Sequence, residues 1–248
     1  MKLDRVIAVR NNKTVYRDDD RVVKVFISGY KKSDVLNEAL NQARMEEIGL
    51  PVPGVIEVSD LDEKWAIVSE YKNGKTLSRL IFEDPDRTAE YMDMFVELQN
   101  MIHSKKCPEL IMLRDKISRM IHEAEIVSEL KSKVLSSLDE LPASNNVCHG
   151  DFYPSNVIVD DDGSLYVIDW SHTACGNKYA DIAKTYISFL TDGKESMALL
   201  YLDKICKKNI SDIQEVKKWI PIVAAAEIAG NKRKKYALLL SLIADCNE

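Results

Sequence analysis

No apolar run in this chain approaches the length of a membrane span, and Met1-Lys2-Leu3-Asp4-Arg5 has no signal-peptide core. The expectation is a cytoplasmic protein with no membrane partner. Cysteine is scarce and unpatterned: Cys107, Cys148, Cys175, Cys206 and Cys246 are five in number, widely scattered and without metal-ligand spacing, so they read as free thiols. A basic excess is missing too. The 34 basic and 40 acidic residues leave a net charge of -6, which gives no reason to expect a nucleic-acid partner. One basic cluster, Lys232-Arg233-Lys234-Lys235 after Gly230-Asn231, reads as a solvated turn between helical stretches. There is no internal repeat, low-complexity tract or long linker. What is present, 248 residues with 46% hydrophobic and 30% charged, suffices to bury a substantial core in one or two domains.

The first part of the chain reads as strands over 6–9, 14–17, 22–27, 54–58 and 65–69, with one helix after the third. Acidic turns at Asp18-Asp19-Asp20 and Asp60-Leu61-Asp62-Glu63 support antiparallel pairing. In the third strand Val22, Lys24 and Phe26 share one face and Val23, Val25 and Ile27 the other. Both faces are apolar, so Lys24 needs a carboxylate or phosphate partner. Glu38 is the best candidate, because Ser33 can cap a helix on which Val35, Glu38, Gln42 and Met45 fall on one stripe. Most of the remaining chain reads as helix: 77–82, 88–103, 109–127, 129–138 and segments after 176.

The most informative stretch is Cys148-His149-Gly150-Asp151-Phe152-Tyr153-Pro154-Ser155-Asn156, followed by Val157-Ile158-Val159 and Ile168-Asp169-Trp170. It sets a carboxylate, a carboxamide and a second carboxylate in the order that phosphoryl transfer from a nucleotide requires. Mg²⁺ is a hard cation usually held by one or two carboxylates plus phosphate oxygens, and Asp169 and Asn156 can supply such ligands. A hydroxyl acceptor also needs a positioned base, since catalysis of this transfer is mostly positioning and charge neutralisation. Asp151 fits that role. A hairpin with its turn at Asp160-Asp161-Asp162-Gly163 returns the chain, so Asp169 can land beside Asn156 although 13 positions separate them. The three turn aspartates themselves read as solvated turn residues and not as metal ligands.

His-Gly-Asp-x4-Asn, the apolar strand, the Asp-Gly turn and Ile-Asp-Trp resemble the catalytic core of the aminoglycoside phosphotransferase family, the small-molecule branch of the protein-kinase-like fold. Lys24 and Glu38 resemble that fold's strand lysine and helix partner, Gly49-Leu50-Pro51-Val52-Pro53 the turn after the helix, and Tyr179-Ala180-Asp181-Ile182-Ala183 the family's Asp-Leu-Ala helix start. The resemblance implies an α+β, bilobal protein-kinase-like fold. Residues 1–71 would form a small antiparallel-sheet nucleotide-binding lobe with one helix, and 72–248 a mainly helical lobe for catalysis and substrate. It implies ATP or GTP with Mg²⁺ as cofactors, and a hydroxyl of a small molecule as acceptor. Backbone groups from Glu70 and Tyr71 onward would meet the purine edge, and His149 would pack within its loop. The acceptor stays open between an aminoglycoside or other antibiotic and a metabolic alcohol of choline, homoserine or sugar type. A catalytically silent nucleotide-binding relative is the alternative from another class. Ser171, His172, Thr173 and Glu227 are candidates for the acceptor's surroundings.

Two departures from the wider kinase pattern stand out. Where a glycine-rich phosphate loop is expected, the chain has Arg10-Asn11-Asn12-Lys13-Thr14. Asparagine tolerates left-handed backbone better than most residues, so Asn11 and Asn12 are expected to form the turn and Lys13 to reach a phosphate. After Asp169 stands Trp170, and about ten residues precede the next helix, too few for the activation segment of a protein kinase. A folded protein substrate is not expected.

Overall fold

The computed structural model describes residues 3–209, 213–230 and 235–244. All five strands predicted for the first part of the chain are present. β1 (Arg5–Val9), β2 (Lys13–Asp18) and β3 (Arg21–Phe26) form successive antiparallel hairpins, α1 (Lys32–Glu47) follows, and β4 (Val55–Leu61) and β5 (Lys64–Glu70) complete a sheet in the order β1-β2-β3-β5-β4. Alternation decides which way β3 faces. Val23 goes to one side, where Ala66 and Val68 bury with it; Phe26 goes to the other, where Ile67 and the α1 residues Val35 and Ala39 close over it. Each such burial is worth about 1.5–3 kcal/mol. Lys24 shares the α1 side with Phe26.

α1 buries the predicted stripe of Val35, Glu38, Gln42 and Met45. Its start differs from expectation. Lys31, in extended backbone, is the N-cap, so Ser33 lies already inside the first turn with its hydroxyl 3.5 Å from Asp34 Oδ1 and caps nothing. The other end closes as a Schellman turn: Gly49 at φ +75° lets its N–H donate to Glu46 O (2.9 Å) and that of Leu50 to Met45 O (3.0 Å). Gln42 Nε2 then ties the following turn through Pro53 O at 2.7 Å. β6 (Gly74–Thr76) leads into α2 (Leu77–Glu83), capped by the Thr76 hydroxyl, which accepts from Arg79 N–H at 3.3 Å.

The chain continues through α3 (Thr88–Ser104), α4 (Leu113–Glu123), α5 (Ser128–Glu140) and β7 (Asn146–Cys148). β8 (Val157–Asp160) and β9 (Leu165–Val167) are the predicted hairpin and extend β6 into a sheet ordered β6-β8-β9. β10 (Ala174–Gly176) pairs antiparallel with β7, and α6 (Lys178–Thr191), α7 (Glu195–Asn209), α8 (Ile213–Gly230) and α9 (Tyr236–Ala244) follow. Two compact units result: Met1–Pro85 with Pro154–His172, and Asp86–Tyr153 with Thr173–Glu248. The hairpin segment Pro154–His172 belongs to the first unit.

The helix predicted over 109–127 is shorter, because Met112 bridges to Cys175 and the Cys175 N–H donates to Ile111 O at 2.8 Å, leaving α4 to begin at Leu113. In the second unit Phe95 stacks on Phe152 with ring centroids 4.3 Å apart, and Phe189 and Tyr201 meet Phe95 edge-on at 6.3 and 5.9 Å. Among the described residues Cys107, Cys148, Cys175 and Cys206 form no disulfide; Cys246 lies outside the described residues. So do Lys232, Arg233 and Lys234, whereas Lys235 Nζ reaches Asp192 Oδ1 at 3.1 Å. Among the described residues no helix is long and apolar enough to cross a membrane.

Gly74 is fixed by close approach. A Cβ there would lie 2.0 Å from Val159 O and 2.7 Å from Asp160 Cα, so β6 and β8 can pair only if residue 74 has no side chain. Gly74→Ala is expected to cost about 2 kcal/mol or more in urea unfolding, by forced displacement of the pairing; a loss below about 0.5 kcal/mol would show that β8 moves freely.

Candidate active site

Lys24 sits mid-strand on the side that α1 covers, and an ammonium there demands a partner. Glu38, 2% exposed, provides it: Lys24 Nζ donates to Glu38 Oε1. A second ammonium arrives from β2. Lys13 pairs with Phe26 and Val15 with Lys24, so Lys13 projects to the same side of the sheet. Its Nζ donates to both oxygens of Asp169, at 3.0 and 3.1 Å, and stands 3.6 Å from Glu38 Oε1; Lys24 Nζ lies 3.9 Å from Asp169 Oδ1. Two cations and two carboxylates thus alternate in one cluster. Burial works against the charge on Lys24, but Glu38 and then Asp169 outweigh it and hold the ammonium above its ordinary value.

The local fold delivers Asp169 to this cluster. Asn156 ends the short 3-10 turn Pro154–Asn156, and its carbonyl accepts from Ile168 N–H at 2.9 Å, so the β8–β9 hairpin sets Asp169 next to Asn156 as predicted. Asp169 has φ +70°, a left-handed conformation that costs a non-glycine residue energy and concentrates at functional positions. Trp170 holds it there. Its ring is fully buried, its Nε1–H donates to Val167 O at 3.0 Å, and its carbonyl accepts from Asn41 Nδ2 at 3.3 Å, three residues beyond Glu38 on α1. The turn aspartates behave as turn residues: Asp160 and Asp162 carboxylates accept from the Asp161 and Ser164 N–H groups, both at 2.8 Å.

Lys13, Lys24, Asn156 and Asp169 line one pocket of about 300 Å³ in the first unit, together with Arg10, Glu70, Tyr71 and Lys72. Glu70 and Tyr71 have already committed their N–H groups, to Gly54 O (3.0 Å) and Asp20 O (2.8 Å). The Glu70 carboxyl is held below its ordinary value by Lys72, at 2.8 Å, and by the Gly54 N–H. Tyr71 lies under the Arg17 guanidinium, 3.9 Å from the ring centre. Asn11 and Asn12 are not part of the pocket wall. They make the expected turn, closed by Arg10 N–H to Lys13 O at 2.8 Å, but neither has a positive φ, and Asn12 Nδ2 points to Tyr30 Oη at 3.3 Å.

Asp151 belongs to the second unit, and a residue that sequence reasoning placed only as a helix start organises its loop. Asp181, fully buried on α6, accepts from Gly150 N–H at 2.7 Å, from His149 N–H at 3.2 Å and from His103 Nε2 at 2.9 Å. A carboxylate only accepts, so His103 carries its proton on Nε2. His149 is buried, with Nδ1 accepting from Asp151 N–H at 3.2 Å, which is the structural role expected of it. Phe152 is fixed on the far side, its carbonyl accepting from the Thr185 hydroxyl at 3.0 Å. Burial opposes ionisation of Asp181, but the His103 hydrogen bond, its charge and the Gly150 N–H outweigh it and hold the carboxyl below its ordinary value. Of the residues suggested around an acceptor, Ser171 donates to Asp169 Oδ1 at 3.3 Å, Thr173 is buried, His172 is exposed and Glu227 is bonded to Lys184.

This combination of strand lysine, helix glutamate and hairpin-borne Asn and Asp meets a match in known sequences: the profile of the phosphotransferase enzyme family covers residues 5–218. The chain belongs to that family. No curated protein sequence matches it. Among solved structures, an aminoglycoside-3'-phosphotransferase of type VIII superposes with TM-score 0.65 at 18% identity, over 89% of this chain and 93% of that one. The aminoglycoside phosphotransferase APH(4)-Ia gives 0.71 at 14%, over 97% and 91%, and a thermostable mutant of it is known in a ternary complex with AMP-PNP and hygromycin B. The choline kinase LicA from Streptococcus pneumoniae gives 0.62 at 16%, over 99% and 94%, and has also been solved with AMP. At such identities these structures establish the α+β, protein-kinase-like fold of this phosphotransferase family member and leave its substrate open.

Two outcomes test the electrostatics. Glu38→Ala leaves two ammonium groups against one carboxylate and is expected to lower stability by about 3 kcal/mol or more; a loss under about 1 kcal/mol would mean the cluster is hydrated and dispensable. Folding holds the Asp181 carboxyl below its ordinary range, so its contribution is fully present above the unfolded pKa and is lost as pH falls through the lower folded pKa. Asp181→Asn should therefore lower stability near neutrality by about 3 kcal/mol, with the gap to wild type closing below about pH 4. A gap independent of pH between 2 and 7 would contradict an ionised Asp181.

Proposed function

We propose that this chain is a small-molecule kinase that moves the γ-phosphate of ATP or GTP to an alcohol hydroxyl with Mg²⁺ as cofactor. The observation that carries the reading is the convergence of Lys24–Glu38 with Asn156 and a strained Asp169 in one pocket beside Glu70 and Tyr71. The oxygen donors fit Mg²⁺, which takes one or two carboxylates and completes its shell with phosphate and water. Bound there, Mg²⁺ would neutralise charge on the phosphates.

The protein's own residues then have separable tasks. Lys24, oriented by Glu38, contacts the phosphates. Because the Glu70 and Tyr71 amides are engaged, the carbonyls of that segment and the Lys72 N–H would meet the purine edge. Asp151 orients the acceptor hydroxyl and takes its proton, while Asp181 positions the Asp151 loop through the two N–H groups before it. The likeness to aminoglycoside and choline kinases supports a small acceptor, and the missing activation segment disfavours a folded protein.

Thermal unfolding midpoints with ATP or GTP, with and without Mg²⁺, test nucleotide binding directly, since a ligand specific for the native state raises apparent stability. A Mg²⁺-dependent rise that Asp169→Ala abolishes is expected. Asp151→Asn should keep that rise yet lose turnover by about 10²–10⁴-fold on any alcohol found to be phosphorylated. Unchanged turnover would remove Asp151 from the chemistry, and the absence of any rise at millimolar nucleotide would leave the reading without its substrate.

A further inference from the structure

Two ammonium groups stand where one would meet the needs of a nucleotide's phosphates. Lys24 is neutralised by Glu38, whereas Lys13 is held on Asp169, the carboxylate that the kinase reading assigns to Mg²⁺, at nearly equal distances of 3.0 and 3.1 Å from its two oxygens. The backbone of Lys13 is locked by its pairing with Phe26, but its four-carbon stem can swing. Lys13 is nearly buried, at 9% exposure, and lines the same pocket as Asn156 and Lys24. A second observation concerns the turn before it. In a glycine-rich loop, backbone N–H groups cradle phosphates. Here the Arg10 N–H donates to Lys13 O, Asn12 O is taken by Ile27 N–H, and the Asn12 side chain goes to Tyr30. The Arg10 N–H and the Asn12 side chain are thus engaged within the sheet and its flank, and Lys13 is the residue of this turn whose side-chain donor reaches the pocket.

We propose that Lys13 is an exchangeable counter-ion. Its ammonium lies on the Asp169 oxygens that the metal would take, and on nucleotide entry it moves to phosphate oxygens, in the role that loop amides have at glycine-rich sites. The move breaks and makes only hydrogen bonds and ion pairs. It keeps Asp169 neutralised in both states and rests on the kinase reading of this pocket.

Wild type, Lys13→Met and Lys13→Gln are compared in two titrations, with circular dichroism confirming that each is folded; the Gln variant keeps a polar end in the pocket should Met not be tolerated. In the first, Mn²⁺ is added without nucleotide and followed by electron paramagnetic resonance. Removing the competing ammonium should tighten Mn²⁺ by about fivefold or more. In the second, ATP and adenosine are titrated at saturating Mg²⁺. ATP should weaken on the order of tenfold to a hundredfold, the size of a lost charge-assisted hydrogen bond, while adenosine stays within about twofold. Mn²⁺ affinity that is unchanged or weaker in the variants, or ATP and adenosine weakening together, would overturn the exchange. Failure of the wild type to bind Mg·ATP at all would instead bring down the kinase reading and this inference with it.

Discussion

An ammonium in the middle of a covered strand cannot stand alone, and the first unit is arranged around that constraint. Lys24 lies between apolar neighbours on β3, so α1 must approach closely enough to bring a carboxylate, and it does so by seating Val35 and Ala39 on Phe26 and Ile67. The same helix carries Asn41, which holds the carbonyl of Trp170 and with it the strained backbone of Asp169. Apolar packing and charge pairing therefore specify one another. Packing sets the distance at which Glu38 meets Lys24, and the pair makes any other register of helix on sheet costly, because an unpaired buried charge is penalised by several kcal/mol.

A buried carboxylate organises the second unit by the same logic. Asp181 is stripped of water and must be repaid in hydrogen bonds, and it collects them from His103 and from consecutive backbone N–H groups of His149 and Gly150. Those are the residues immediately before Asp151. The direction in which the loop leaves β7 is thus fixed by a carboxylate on α6, 31 and 32 positions away. Phe152, stacked on Phe95 and bonded through its carbonyl, pins the other side. In the role proposed for Asp151, a base held between two such anchors would lose little entropy when a substrate arrives, which is how pre-organisation contributes to rate.

The parts legible in the sequence were those governed by short-range periodicity. Alternation gave Lys24 its face, helical spacing gave Glu38 its stripe, and the Asp-Gly turn gave the hairpin that joins Asn156 to Asp169. Ser33 misled because capping chemistry is a preference of residue type, while the actual start is set by extended backbone at Lys31. The helix over 109–127 was overdrawn because a bridge to Cys175, far away in sequence, competes for its first residues. β6, β7 and β10 are three residues each, too short for alternation to register. The anchor role of Asp181 is invisible to any local pattern, since its backbone partners lie 31 and 32 positions away.

The absence of glycine before β2 has a physical counterpart in the charges that replace it. Loop amides offer neutral dipoles that need no counter-charge when the site is empty, whereas a lysine in a covered pocket carries a charge that must always be met. That requirement explains why Lys13 is found on Asp169. On the proposed reading Asp169 has the complementary problem, since a carboxylate that holds a divalent cation would be an unpaired anion without it. Placing Lys13 and Asp169 within hydrogen-bond reach meets both needs at once, and the cluster of Lys13, Lys24, Glu38 and Asp169 holds two charges of each sign. On the proposed reading a metal and a triphosphate would bring charges of opposite sign that divide Lys13 from Asp169, so that neither buried ion is left unmatched.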